Sequence, residues 1–233
     1  MLGVNLLAFL FGIPAMLLVL YAQFRVQRAY SKYSRVRNSL NVTGAEVAST
    51  LMRDHNLNIS VETIRGNLTD HYDPRRDVMR LSQGVAGTPS VAALGIVAHE
   101  LGHAKQDQTG YRLLKLRAGI VPLVQIGSSL GYLAFFIGLA LSLSPLTWLG
   151  VLLFSAGTVF ALVTLPVEMN ASNQAMEMLQ SSHLVTPEET DQVRSVLSAA
   201  ALTYVAALAQ AFSQLIYFVL MALGMGSTTR RRY

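Results

Sequence analysis

The run His99-Glu100-Leu101-Gly102-His103 sets two imidazoles four residues apart, with a carboxylate beside the first. On a helix, residues four apart share one face, so both rings can reach one ion. Zinc suits two neutral nitrogens plus a carboxylate and leaves a fourth position open for water. Water on such an ion is acidified toward neutral pH and becomes a nucleophile. Glu100 points beside the metal face, where it can take a proton from that water and pass it to a leaving amine. The chemistry on offer is metal-assisted hydrolysis. The plainer alternative, a helix with two surface histidines, fits poorly, because apolar residues flank the run on both sides.

The chain has no cysteine, which excludes disulfides, a thiol nucleophile and thiolate metal sites. A third protein ligand must therefore be His, Asp or Glu. Glu168 ends a long uncharged block, where a carboxylate is costly unless it is paired or bound to metal. Its alternative role is an interfacial side chain that reaches for water, and Glu177, in a more polar stretch, is the competing ligand. Asp107 follows His103 by one helical turn and can accept a ring N–H from a ligand histidine, or simply face water near Lys105. His71 and Tyr72 can donate to a tetrahedral oxyanion. Equally, they can belong to a turn held by Asp70 and Asp73. His55 and His183 stand in no pattern and read as surface residues.

The elements that must position these groups follow from charge and hydropathy. The chain has 233 residues, 52% hydrophobic and 13% charged, against about 25% charged in an average soluble domain. Residues 1–24, 118–167 and 195–229 contain no Asp, Glu, Lys or Arg. That pattern excludes an ordinary soluble protein and a disordered one, and indicates an integral membrane protein with a modest polar domain. A span needs about 20 apolar residues. Residues 1–24 supply one, read as a retained anchor because no basic segment precedes its apolar run and no cleavage site ends it. Residues 118–167 supply a hairpin of two spans with its turn at Ser142 to Pro145. Residues 195–229 form a fourth span or a re-entrant segment, followed by a basic tail at 230–233. Arg25, Arg28, Lys32, Arg35 and Arg37 follow the first span directly, which places 25–117 in the cytoplasm. The net charge of +5 carries no nucleic-acid motif, so nucleic acid is not an expected partner.

The soluble part reads as mixed α and β, giving an α+β fold class. Thr43 and Glu46 form a capping box that opens a helix running to about His55. Asn58–Ile64 and Asp77–Leu81 alternate as strands, with Asp70 to Pro74 as a turn between them. Thr88 followed by Pro89 reads as an N-cap and first helical residue. That helix carries the two histidines to about Gln108 and stops at Gly110. Residues 168–194 then form the helix that bears the third ligand.

Several segments together resemble the YugP-type neutral zinc metallopeptidases of bacteria. They are Asp70-His71-Tyr72-Asp73-Pro74, the run Ala98 to Gln106, Leu165 to Ser172, and Ala200 to Ala207, with Gln23 to Tyr30 after the anchor. More distantly the layout is similar to membrane gluzincins of the HtpX and CAAX-prenyl-protease type. The resemblance implies His99, His103 and Glu168 as zinc ligands and Glu100 as general base. It also implies a small cytoplasmic zincin-like domain whose 70–82 segment is an edge strand beside the cleft. Those relatives commonly carry an aspartate four residues after the third ligand. Here that position is Ser172, so support for a ligand histidine is expected from Asp107 or Asn170 instead.

The expected protein is a multi-pass zinc endopeptidase of the bacterial inner membrane, with its active site on the cytoplasmic side. Its partners are polypeptide substrate, the lipid bilayer, and a membrane-protein partner or a second copy of itself. The alternative is a non-proteolytic membrane scaffold with a structural zinc, against which Glu100 speaks, since a structural site needs only ligands. A transporter is disfavoured because the spans lack paired intramembrane charges.

Overall fold

The structure, a computed structural model, describes residues 2–229, with side chains described over 10–224. The basic tail expected at 230–233 lies outside the described residues. The architecture is α+β. In chain order the elements are α1 (Leu2–Tyr33), α2 (Gly44–Asp54), β1 (Ser60–Ile64), β2 (His71–Asp73) and β3 (Val78–Ser82). They continue with α3 (Gln83–Ala86), α4 (Val91–Gln108), α5 (Arg112–Ala140), α6 (Ser144–Ser181) and α7 (Pro187–Thr229). Within α1, α5, α6 and α7, the stretches Leu10–Tyr33, Arg112–Ala140, Ser144–Ser181 and Pro187–Gly224 are long and apolar enough to cross a membrane. α7 runs uninterrupted through the segment for which a re-entrant turn was the alternative.

The chain divides into two compact units. One comprises residues 2–21, Leu116–Leu165 and 204–229. Its buried cluster is Phe135, Val151, Phe218 and Ala222, with the rings of Phe135 and Phe218 4.5 Å apart. Ser142, at φ 56°, makes the turn between α5 and α6, where the Ser-Pro sequence places it.

The other unit comprises Ala22–Lys115 and Pro166–Thr203 and contains every candidate site residue. Its sheet has the order β1-β3-β2, with β1 parallel and β2 antiparallel to β3. The capping box forms as expected: Thr43 N donates to Glu46 Oε2 at 2.7 Å and Glu46 N to Thr43 Oγ1 at 3.4 Å. α2 then buries Val47, Ala48 and Leu51. A comparable box opens α7, where Thr186 N donates to Glu189 Oε2 at 2.8 Å and Glu189 N to Thr186 Oγ1 at 3.2 Å. Glu189 also accepts from Ser39 N at 2.6 Å, tying the chain after α1 to the start of α7.

Two local expectations are corrected. Residues 71–73 are a strand at the edge of the sheet, as the resemblance implies, and not the turn that their composition suggests. Asp70 anchors one side by accepting from Ser82 N at 2.6 Å, and Asp73 caps the other by accepting from Arg75 N at 3.0 Å. The turn-forming residues thus flank β2 instead of replacing it. The N-cap of α4 is Ser90, whose hydroxyl accepts from Ala93 N at 3.2 Å. Thr88 and Pro89 stay outside the helix because this stretch pairs with the chain after α1: Asn38 N donates to Pro89 O, Val91 N to Val36 O, and Ser90 bridges Arg37.

α4 is the central helix, apolar on most of its surface, as a helix enclosed by other elements must be. Its contact with α6 is set by Gly102. A Cβ at that position would lie 2.5 Å from Ala171 O and 3.1 Å from the carbonyl carbon. Only a glycine lets the two backbones touch there. Gly102→Ala is expected to push α6 away and cost about 1–3 kcal/mol of stability, as overpacking does. Chemical denaturation of the zinc-free protein measures this, and an unchanged midpoint would refute the contact.

Candidate metal centre

α4 presents His99 and His103 one turn apart, and α6 brings Glu168 against them. The three ligand atoms lie within 4.8 Å of one another. His99 Nε2 is 3.2 Å and His103 Nε2 3.4 Å from Glu168 Oε2. Ligands at ordinary zinc distances on a tetrahedron stand about 3.3 Å apart. The two separations to Glu168 match that spacing, and the donor set of two imidazoles and a carboxylate suits zinc. The Glu168 side chain is 2% exposed and the histidines 14% and 12%, so the group is enclosed but reachable.

The far nitrogen of each ring is also held. His103 Nδ1 lies 3.0 Å from Gln106 Oε1. The amide nitrogen of Gln106 donates to Val167 O at 2.8 Å and Asn170 Oδ1 at 2.9 Å. The amide orientation follows from those two acceptors, so Oε1 must face His103. That places the imidazole proton on Nδ1 and leaves the Nε2 lone pair facing Glu168. His99 Nδ1 lies 3.2 Å from Ser172 Oγ, so the outer nitrogen of the other ring also has a partner.

The support expected from Asp107 goes elsewhere, because its carboxylate meets the Tyr72 hydroxyl at 3.2 Å. Asn170 acts at one remove, through Gln106. Ser172 stands where the relatives have an aspartate and supplies a neutral oxygen in its place. Gln106 was missed by sequence reasoning, although its position three residues after His103 puts it on the same helical face. Gln106→Leu is expected to lower zinc affinity about 10–100-fold, as loss of an outer partner does. Competition with a chromogenic chelator measures it, and wild-type affinity would refute the role.

Glu100 is outside the group of three. Its Oε2 accepts from Tyr72 N at 2.9 Å, so its contact with β2 is made to the backbone. Burial raises its carboxyl above the usual glutamate range, against the opposing pull of His99 and His103. Burial pulls His103 down, but the carboxylates of Glu168 and Glu100 outweigh it and raise the ring. The Tyr72 phenol is held by Asp77 at 2.9 Å as well as by Asp107, and burial together with these carboxylates raises it far above its usual value. His71 is exposed and meets Thr69 O at 2.8 Å. Neither side chain joins the three-residue group. Glu177 is exposed and also lies outside it.

Residues 8–223 match a family described as "Putative neutral zinc metallopeptidase". The chain belongs to this family of zinc metallopeptidases. A relative from Bacillus subtilis (strain 168), described as "Putative membrane protease YugP", is 44% identical over 212 residues, covering 91% of this chain and 94% of the relative. No solved structure matches. Zinc is thus the metal of the family, and His99, His103 and Glu168 are the group able to hold it.

Proposed function

We propose that the protein is a membrane-embedded zinc endopeptidase acting on membrane-associated or unfolded polypeptides. The observation that carries this reading is the Glu100 carboxylate, outside a three-ligand group and held by Tyr72 N on one oxygen. A purely structural site has no use for it. Zinc, when bound, polarises the scissile carbonyl and acidifies the attacking water. Glu100 takes the water's proton and delivers it to the leaving nitrogen.

Gln106 keeps the His103 ring in one tautomer, and Ser172 holds the orientation of the His99 ring. β2 is an edge strand, and Tyr72 N at that edge reaches Glu100. An extended substrate adding to β2 would therefore run alongside the base. The basic residues after the first span favour a cytoplasmic site at the bacterial inner membrane. In this reading residues 1–24, 118–167 and 195–229 are the membrane segments, and 25–117 with 168–194 form the catalytic part.

The test uses the full chain in lipid vesicles with an unfolded protein substrate. A strong chelator is expected to abolish cleavage, and added zinc to restore it. Cleavage that survives complete zinc removal would overturn the proposal.

A further inference from the structure

Tyr72 touches α4 at two points. Its backbone N donates to Glu100 Oε2 at 2.9 Å, and its hydroxyl meets Asp107 Oδ2 at 3.2 Å. Glu100 and Asp107 are seven residues apart, nearly two full turns, so they share one face of α4 at points about 10 Å apart along its axis. Among the described residues, these are the hydrogen bonds that join β2 to α4. Asp70 and Asp73, by contrast, tie β2 to its own sheet, through Ser82 N and Arg80. Packing alone does not fix the tyrosine ring. A cavity of about 210 Å³ lies beside it, lined by Leu57, Ile59 and Ala104 as well as Asp107, and leaves the ring room to shift. The hydroxyl is anchored instead, between Asp107 on α4 and Asp77 Oδ1, 2.9 Å away on the residue before β3. It has one proton for the two carboxylates, so the sheet and the helix share it.

Resting on the peptidase reading, we propose that Tyr72 and Asp107 are positioning residues for the general base. Their contact sets the separation of β2 and α4, and that separation lets the Tyr72 amide keep hold of Glu100. A glutamate side chain turns about three bonds, and a misplacement of about 1 Å can cost 10²-fold in rate. The amide holds Oε2 and so decides where Oε1 points. β2 cannot supply this rigidity by itself. It is three residues long, stands at the edge of the sheet and pairs with β3 on one side. The second attachment to α4, two turns from the first, keeps the strand from swinging about the Glu100 contact. The Tyr72 hydroxyl, a candidate oxyanion donor by sequence, is thus committed to two carboxylates and acts through its own backbone. Asp107, a candidate partner for a ligand histidine, serves the base instead of the metal.

The test compares Tyr72→Phe, Asp107→Ala and Asp107→Asn with wild type in the full chain in detergent, each checked for zinc by chelator competition. Tyr72→Phe keeps the ring and removes the hydroxyl, and Asp107→Ala removes its partner on the helix. Both are expected to hold wild-type zinc and to lower kcat on an unfolded protein substrate about 10–100-fold. The double variant should be no worse than either single one, because each removes the same contact. Asp107→Asn should restore wild-type kcat, since the amide it introduces can donate to the tyrosine oxygen while the hydroxyl donates to Asp77. Hydrogen exchange gives a readout that needs no cleavage. The amide of residue 72 should exchange faster in Tyr72→Phe and Asp107→Ala than in wild type or Asp107→Asn. Unchanged kcat, a loss confined to KM, unaltered amide exchange or a loss of zinc would each overturn the positioning role and leave the peptidase reading standing. A zinc-loaded wild type that cuts nothing would overturn the peptidase reading, and this inference with it.

Discussion

Glu168→Ala is expected to empty the metal centre. Glu168 supplies the carboxylate oxygen that both histidine Nε2 atoms face, at 3.2 and 3.4 Å. A hydrolytic zinc site takes three protein ligands, and without Glu168 two remain. The loss in affinity should exceed the roughly 10–100-fold cost of losing an outer partner, because a direct ligand is gone. Elemental analysis after dialysis should find about one zinc per chain in the wild type and almost none in the variant. Thermal unfolding offers a second readout. Zinc at a thousand times its dissociation constant stabilises a folded protein by about 4 kcal/mol, and that gain should vanish in the variant. The fold itself should persist without metal. Gln106 still joins α4 to α6 through Val167 and Asn170, and the Gly102–Ala171 contact is untouched. A variant that keeps one tightly held zinc would mean that another residue, with Glu177 the first suspect, completes the centre.

What could be read from the sequence divides along the range of the interactions involved. The capping box of Thr43, the turn at Ser142 and the stop at Gly110, with φ +69°, depend on residues a few positions apart. Local chemistry settles them. The His99-Glu100-x-x-His103 face is equally local, since a helix alone aligns the two rings. The missed features depend on pairing between distant segments. Ser90 displaces Thr88 as N-cap because residues 36–38 claim the backbone of 89–91 first. β2 is three residues long and was hidden by the aspartates at its ends. The partners of the ring nitrogens were the least legible. Ser172 reaches His99 because Gly102 lets α4 and α6 meet backbone to backbone, while Asp107 is held by the Tyr72 hydroxyl from β2. Nothing within either helix encodes that crossing.

Glu100→Gln is expected to keep the zinc and lose the reaction. Glutamine has the same shape and retains an oxygen that can accept from Tyr72 N, so the contact between α4 and β2 should survive. It cannot take a proton from water. Loss of a positioned general base costs about 10²–10⁴-fold, or about 2.7–5.4 kcal/mol of barrier. The loss should fall on kcat with KM little changed, because the group acts on the reacting atoms and not on substrate affinity. Glu100→Asp makes a sharper comparison. It keeps the acid but draws it back by one methylene, and a misplacement of about 1 Å can itself cost 10²-fold. If position matters as well as basicity, the aspartate variant should fall between wild type and glutamine. Both variants must hold wild-type zinc for the comparison to bear on the base. A glutamine variant with full cleavage would remove Glu100 from the mechanism. A glutamine variant that retains the protein's cellular activity, while the zinc-loaded wild type cleaves nothing, would favour a scaffold whose metal is structural. The two results separate the role of the residue from the nature of the protein, because one is read in the rate of a reaction and the other in its absence.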